Sequence, residues 1–99
     1  VKRRRRGGLG SSAAAHSQRR DRHVESGIAR AQSGLLAAQE GRCAVAYEAL
    51  KQARWDNGAA WAHRDAGGAG RAGGATLTQF DQALQHADDT FRNRCFPRR

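Results

Sequence analysis

The chain has 99 residues, 27% of them charged, and its 18 Lys and Arg against 9 Asp and Glu give a net charge of +9. That length holds one small domain, and no uninterrupted apolar run approaches the ~20 residues a membrane span needs. The two cysteines and four histidines lack Cys-x-x-Cys and His-x-x-x-His spacing, which speaks against the usual paired metal motifs.

Residues 1–12 (VKRRRRGGLGSS) hold Lys2, Arg3, Arg4, Arg5 and Arg6 among glycine and serine, with almost nothing to bury. This composition predicts a disordered basic arm. Fully stretched, a dozen residues reach about 40 Å, enough to follow a backbone groove. Arg19, Arg20 and Arg22 extend the charge, so residues 1–23 carry eight basic side chains against one acid, Asp21. GC-rich coding favours Arg over Lys, so the clustering rather than the Arg count is the evidence. The stretch from Gly7 to Ala15 is too small and too polar for the apolar region of a signal peptide. No hydrophobic stretch follows the arginines as a twin-arginine export signal requires. Synthesis in the cytoplasm is the expectation.

Residues 13–99 are expected to form a helical domain. Ser11 or Ser12 offers an N-cap, and Val24, Ile28, Ala31, Leu35 and Ala38 recur at steps of four and three. That seam predicts a helix over about 13–40. Gly41 ends it as a C′ glycine, while Gly27 and Gly34 weaken it by about 1 kcal/mol each relative to Ala. A second helix, about 42–65, rests on Cys43, Ala46, Tyr47, Leu50, Ala53 and Trp61. Asp56-Asn57-Gly58 is a turn signal inside it. The unbroken helix is preferred to a break at Trp55, with a short helix over 59–65 as the alternative.

Residues 66–75 (AGGAGRAGGA) are half glycine and read as a flexible loop. No strand precedes this stretch and no Lys-Ser/Thr follows it, so it is no phosphate-binding loop. The third helix, about 76–95, opens on the capping box Thr76-Leu77-Thr78-Gln79. It keeps Leu77, Phe80, Leu84, Ala87 and Phe91 in register and stops at Pro97. The fold class is therefore all-α: a small three-helix bundle or helical hairpin with a basic arm.

Cys43 begins the second helix and Cys95 ends the third. In an antiparallel pair of similar length both fall at one end, where a disulfide would close a large loop. A reducing cytoplasm and ordinary burial of two thiols are the alternative. Oxidation inside a particle outside the cell would reconcile the two. Trp61 is expected in the core with Tyr47. Trp55, six residues away, sits nearer the surface as a contact for a protein partner or a base. The histidines read as surface or packing residues, and the adjacent Asp88 and Asp89 as solvated charges. No catalytic residue, metal ligand or cofactor site is expected, and the chain is not expected to be an enzyme.

The charge is segregated. Residues 92–99 add Arg92, Arg94, Arg98 and Arg99 with no acid, while residues 24–91 carry six basic and eight acidic side chains. A near-neutral body with cationic ends suits a polyanion, because neutralised phosphates release counterions without sequence readout. In the Arg-rich arm and composition, the chain resembles in type the small basic-armed internal proteins of phage and virus particles, and also ribosomal proteins. That resemblance implies a structural nucleic-acid-binding component, with the arm on genome phosphates and the body docked on a protein shell in a multi-copy assembly. DNA and RNA are not distinguished. The alternatives are a ribonucleoprotein-associated basic protein and a helical protein–protein adaptor. The adaptor rests on residues 41–53, which are similar to one helix of a tetratricopeptide-type repeat, although a solenoid needs about three repeats.

Overall fold

The computed structural model describes the backbone of residues 2–66 and 74–97 and the side chains of 15–65 and 76–97. Three helices follow one another: α1 (Lys2–Gln39), α2 (Cys43–Ala66) and α3 (Gly74–Cys95). Among the described residues there is no strand, and no helix is long and apolar enough to cross a membrane.

The first seam works as its spacing implies. Val24, Ala31 and Ala38 are buried, with Ile28 and Leu35 partly covered beside them. Helix α1 starts at Lys2 and so includes the segment read from sequence as an arm, whose side chains lie outside the described ones. Gly41 closes α1 in the left-handed region, at φ 77°. The Gly41 amide donates to the Ala38 carbonyl (3.0 Å) and the Arg42 amide to that of Ala37 (2.8 Å). This crossed pair is a Schellman cap, which satisfies carbonyls that the helix leaves without partners.

Helix α2 is continuous through Gly58, and its inward face is built from Ala46, Leu50, Ala53 and Ala60. Small residues on that face let α1 and α2 approach closely, and the glycines of α1 take part. A Cβ on Gly34 would stand 2.8 Å from the Leu50 side chain, and one on Gly27 would stand 2.0 Å from the Phe80 ring. Both glycines, expected only to weaken the helix, are contact positions where side chains from α2 and α3 press on the α1 backbone.

Helix α3 lays Leu77, Phe80, Ala87 and Phe91 into the bundle. It begins at Gly74, so Thr76 lies inside the first turn rather than at the N-cap. Its end follows the sequence. The Phe96 amide still donates to the Arg92 carbonyl (2.9 Å), and Pro97 has no N–H to continue the ladder. The core forms two groups. One gathers Leu50 and Phe91 with Ala31, Ala38, Ala46 and Ala53, and the other gathers Val24, Ala60, Leu77 and Phe80.

The aromatic assignments divide. Trp61 is half-buried against the second group, and its indole N–H donates to Asp81 (3.1 Å). Tyr47 is not in the core: it is exposed, touching Phe91 from outside with ring centroids 6.5 Å apart. The reason is angular, since Tyr47 follows Ala46 and so points well away from the Ala46–Leu50–Ala53 face. Trp55 is 63% exposed, its ring edge against His23.

The two ends of the bundle differ in chemistry. At one end Cys43 and Cys95 form a disulfide with Cα atoms 5.8 Å apart. Arg94 donates there to the Gln39 carbonyl (2.6 Å), satisfying a last-turn acceptor of α1. At the other end α1 and α2 meet through histidines.

Candidate nucleic-acid interface

Arg19 and Arg22 lie on α1 three residues apart and are both exposed. Arg20 is turned onto its neighbour Asp21, with Nε and Nη2 3.1 and 3.0 Å from Oδ1. The side chains of Lys2, Arg3, Arg4, Arg5 and Arg6 lie outside the described residues, but their backbone positions follow from the register. His16 meets His63 and His23 meets Asp56. This antiparallel pairing places Ala66, the last residue of α2, opposite about residue 13. Helix α1 from Lys2 to there has no part of α2 opposite it. The most cationic stretch of the chain therefore lies past the end of its main packing partner.

The C-terminal arginines are placed differently. Arg94 is committed to the α1 C-terminus. Arg92 is 3.2 Å from Asp88, which also accepts from Arg54 at 2.8 Å. Asp88 is thus not simply a solvated charge, because two guanidiniums from α2 and α3 converge on it. Arg98 and Arg99 lie outside the described residues. A groove of about 400 Å³ between α2 and α3 runs beside this pair, lined by Arg54, Asn57, Trp61, Asp81, Leu84, Gln85 and Asp88. Its polar groups largely satisfy one another, Asp81 accepting from Asn57 (2.6 Å) as well as from Trp61.

Where α1 leaves α2 there is a polar cluster that the sequence reading missed. Asp56, taken from its neighbours as a turn residue, is 2% exposed in the middle of α2. One carboxylate oxygen accepts from His23 Nδ1 (2.8 Å), and the other accepts from Arg30 Nη1 (2.7 Å) and Ser26 Oγ (3.3 Å). Every donor comes from α1, so the carboxylate pins the two helices and fixes their register. The signal was available: Asp56 follows Ala53 by three and precedes Ala60 by four, which puts it on the inward seam. An acid on such a seam needs donors from the facing helix.

Beyond Asp56 three imidazoles gather. His16 Nδ1 and His63 Nδ1 are 2.8 Å apart, and the His23 ring stacks on His63 at 5.7 Å with 10° between planes. Burial, followed by the nearby His16, His23 and Arg19, holds the His63 pKa below the ordinary imidazole value of 6.5. Among the described residues no group of three or more His, Cys, Asp or Glu is placed to hold a metal ion.

Among the described residues the large exposed apolar side chains are Leu36, Val45, Tyr47, Trp55 and Phe96. Trp55 shares a shallow depression on the outward face of α2 with Lys51 and Gln52. No protein-family model, curated protein or solved structure matches the chain.

Proposed function

We propose that this chain is a non-enzymatic, structural nucleic-acid-binding protein. Lys2–Arg6, continued by Arg19 and Arg22, contact phosphates, and the helical body docks on protein within a virion or similar nucleoprotein particle. The observation that carries the reading is the segregation of charge along α1. Five consecutive cationic residues lie beyond the end of α2, while residues 24–91 hold eight acids against six bases. Clustered charge of this kind raises affinity for any polyanion of matching spacing without reading base edges. The exposed Trp55 and Phe96 support the docking half, because large apolar side chains in the open commonly mark contacts with other proteins.

The test is a salt titration of full-length protein on single-stranded DNA, duplex DNA and RNA. The reading requires log affinity to fall steeply with log salt, at about 0.9 per phosphate neutralised on duplex. Weak, salt-insensitive binding to all three would favour the second reading, a helical adaptor that uses the same exposed aromatic side chains.

A further inference from the structure

The two ends of the bundle are secured by different chemistry. The Cys43–Cys95 end is covalent, whereas at the other end the last turns of α2 meet α1 through two imidazoles, Nδ1 to Nδ1 at 2.8 Å. We propose that the His16–His63 contact, backed by His23, is a proton-sensitive latch: with at least one ring neutral, it holds the first docked turn of α1 on the last turns of α2, and with both rings charged, it opens and adds positive charge to the Arg19–Arg22 face.

A hydrogen bond between two Nδ1 atoms needs a proton on one ring and a lone pair on the other. An imidazolium carries protons on both nitrogens, so the contact survives with one ring charged but not with two. The surroundings resist even the first charge on His63. From α1 it is faced by His16, Arg19 and His23, all cationic or able to become so. On α2 its neighbour Arg64 lies over the Trp61 ring and 3.7 Å from the exposed Asp65. The remaining nearby acid on α2 is Asp56, already occupied by His23, Ser26 and Arg30. Helix α3 brings no acid in its first turn. Little negative charge is therefore at hand to neutralise a second imidazolium.

The sign follows from the depressed pKa. The unfolded chain binds a proton at His63 more readily than the folded one, so stability rises with pH across this window. The contribution of neutral His63 is present above about 6.5, the ordinary value, and is lost as pH falls toward the lower folded value. Position gives the loss a consequence. His16 is the described α1 contact nearest the basic stretch, so opening there releases the part of α1 adjoining Lys2–Arg6 while the stapled end stays closed.

The coupling to polyanion rests on the proposed function, so the experiment reads the latch twice. Thermal unfolding and histidine NMR titration of the full chain, with EDTA present, need no nucleic acid. Wild type should lose stability from pH 7.5 to 5.5, His63→Gln and His16→Gln should lose most of that dependence, and His86→Gln on the exposed face of α3 should keep it. If His63→Gln and His16→Gln both retain the full wild-type dependence, the latch does not exist. Binding of a duplex DNA at 0.1 M salt is then compared at the same two pH values. Each added charge that meets a phosphate should tighten wild-type binding by roughly eightfold and steepen the salt slope by about one. The same gain in the His16→Gln/His63→Gln double variant would overturn the coupling. Absence of DNA binding at either pH, with the stability effect intact, would overturn the proposed function and the coupling and leave a pH-sensitive helix contact.

Discussion

Gly27 and Gly58 are both interior helix glycines in opposite surroundings. Nothing lies within 4 Å of the position a Cβ would take on Gly58, whereas Gly27 has the Phe80 ring at 2.0 Å. Gly58→Ala should raise stability by about 0.5–1 kcal/mol through helix propensity alone. Gly27→Ala should lower it by roughly 1–3 kcal/mol, because a packed ring has to move. Denaturant unfolding of the two variants checks both signs at once. Asp56 is the third residue of this kind. Removing its carboxylate in Asp56→Ala leaves His23, Ser26 and Arg30 without their acceptor. Arg30 is 43% exposed and can turn to water, so a loss of roughly 2 kcal/mol is expected rather than the full cost of a buried orphan charge. These three positions also show what a linear reading misses. Local rules treat each glycine as a propensity cost and Asp-Asn-Gly as a turn; Gly58 keeps that propensity cost, whereas the outcomes at Gly27 and Asp56 were decided by what the neighbouring helix places opposite.

At the scale of the elements the legible part was periodicity. The seams of α1 and α3 could be read from apolar spacing, as could the Gly41 cap and the Pro97 stop, because each is decided within a turn or two of chain. Helix α2 was harder, since its inward face is mostly alanine and two of its three aromatics, Tyr47 and Trp55, point outward. The similar lengths of α2 and α3 brought Cys43 and Cys95 together in the sequence argument. Composition could not decide whether they bond, because bonding depends on redox surroundings. With the two cysteines 52 positions apart in sequence, the link contributes about 4 kcal/mol on the chain-entropy model. Reduction, or a Cys43→Ser/Cys95→Ser variant, should keep the helices at low temperature and lower the melting temperature by roughly 15–30 °C. Circular dichroism with and without reductant reads this directly, and an unchanged melting temperature would show that the link carries no stability.

At the scale of the whole molecule, charge and packing divide the chain in the same place. Helices α1 and α2 pack from their Gly41 turn to about residue 13, and the run Lys2–Arg6 lies beyond that limit. The histidine cluster stands at the boundary. The change in composition near residue 12 was legible, since residues 1–12 hold almost nothing to bury. The cluster was not, because His16, His23 and His63 are unremarkable in sequence and are gathered only by the antiparallel register. The central claim is that the basic stretch Lys2–Arg6 carries most of the polyanion affinity, with Arg19 and Arg22 adding to it. The most direct measurement compares full-length protein with a variant lacking residues 2–6, binding one DNA duplex across a series of salt concentrations. The account predicts unchanged helicity, a large loss of affinity at low salt, and a salt slope shallower by about four to five. Equal affinity and equal slope in the two proteins would contradict it.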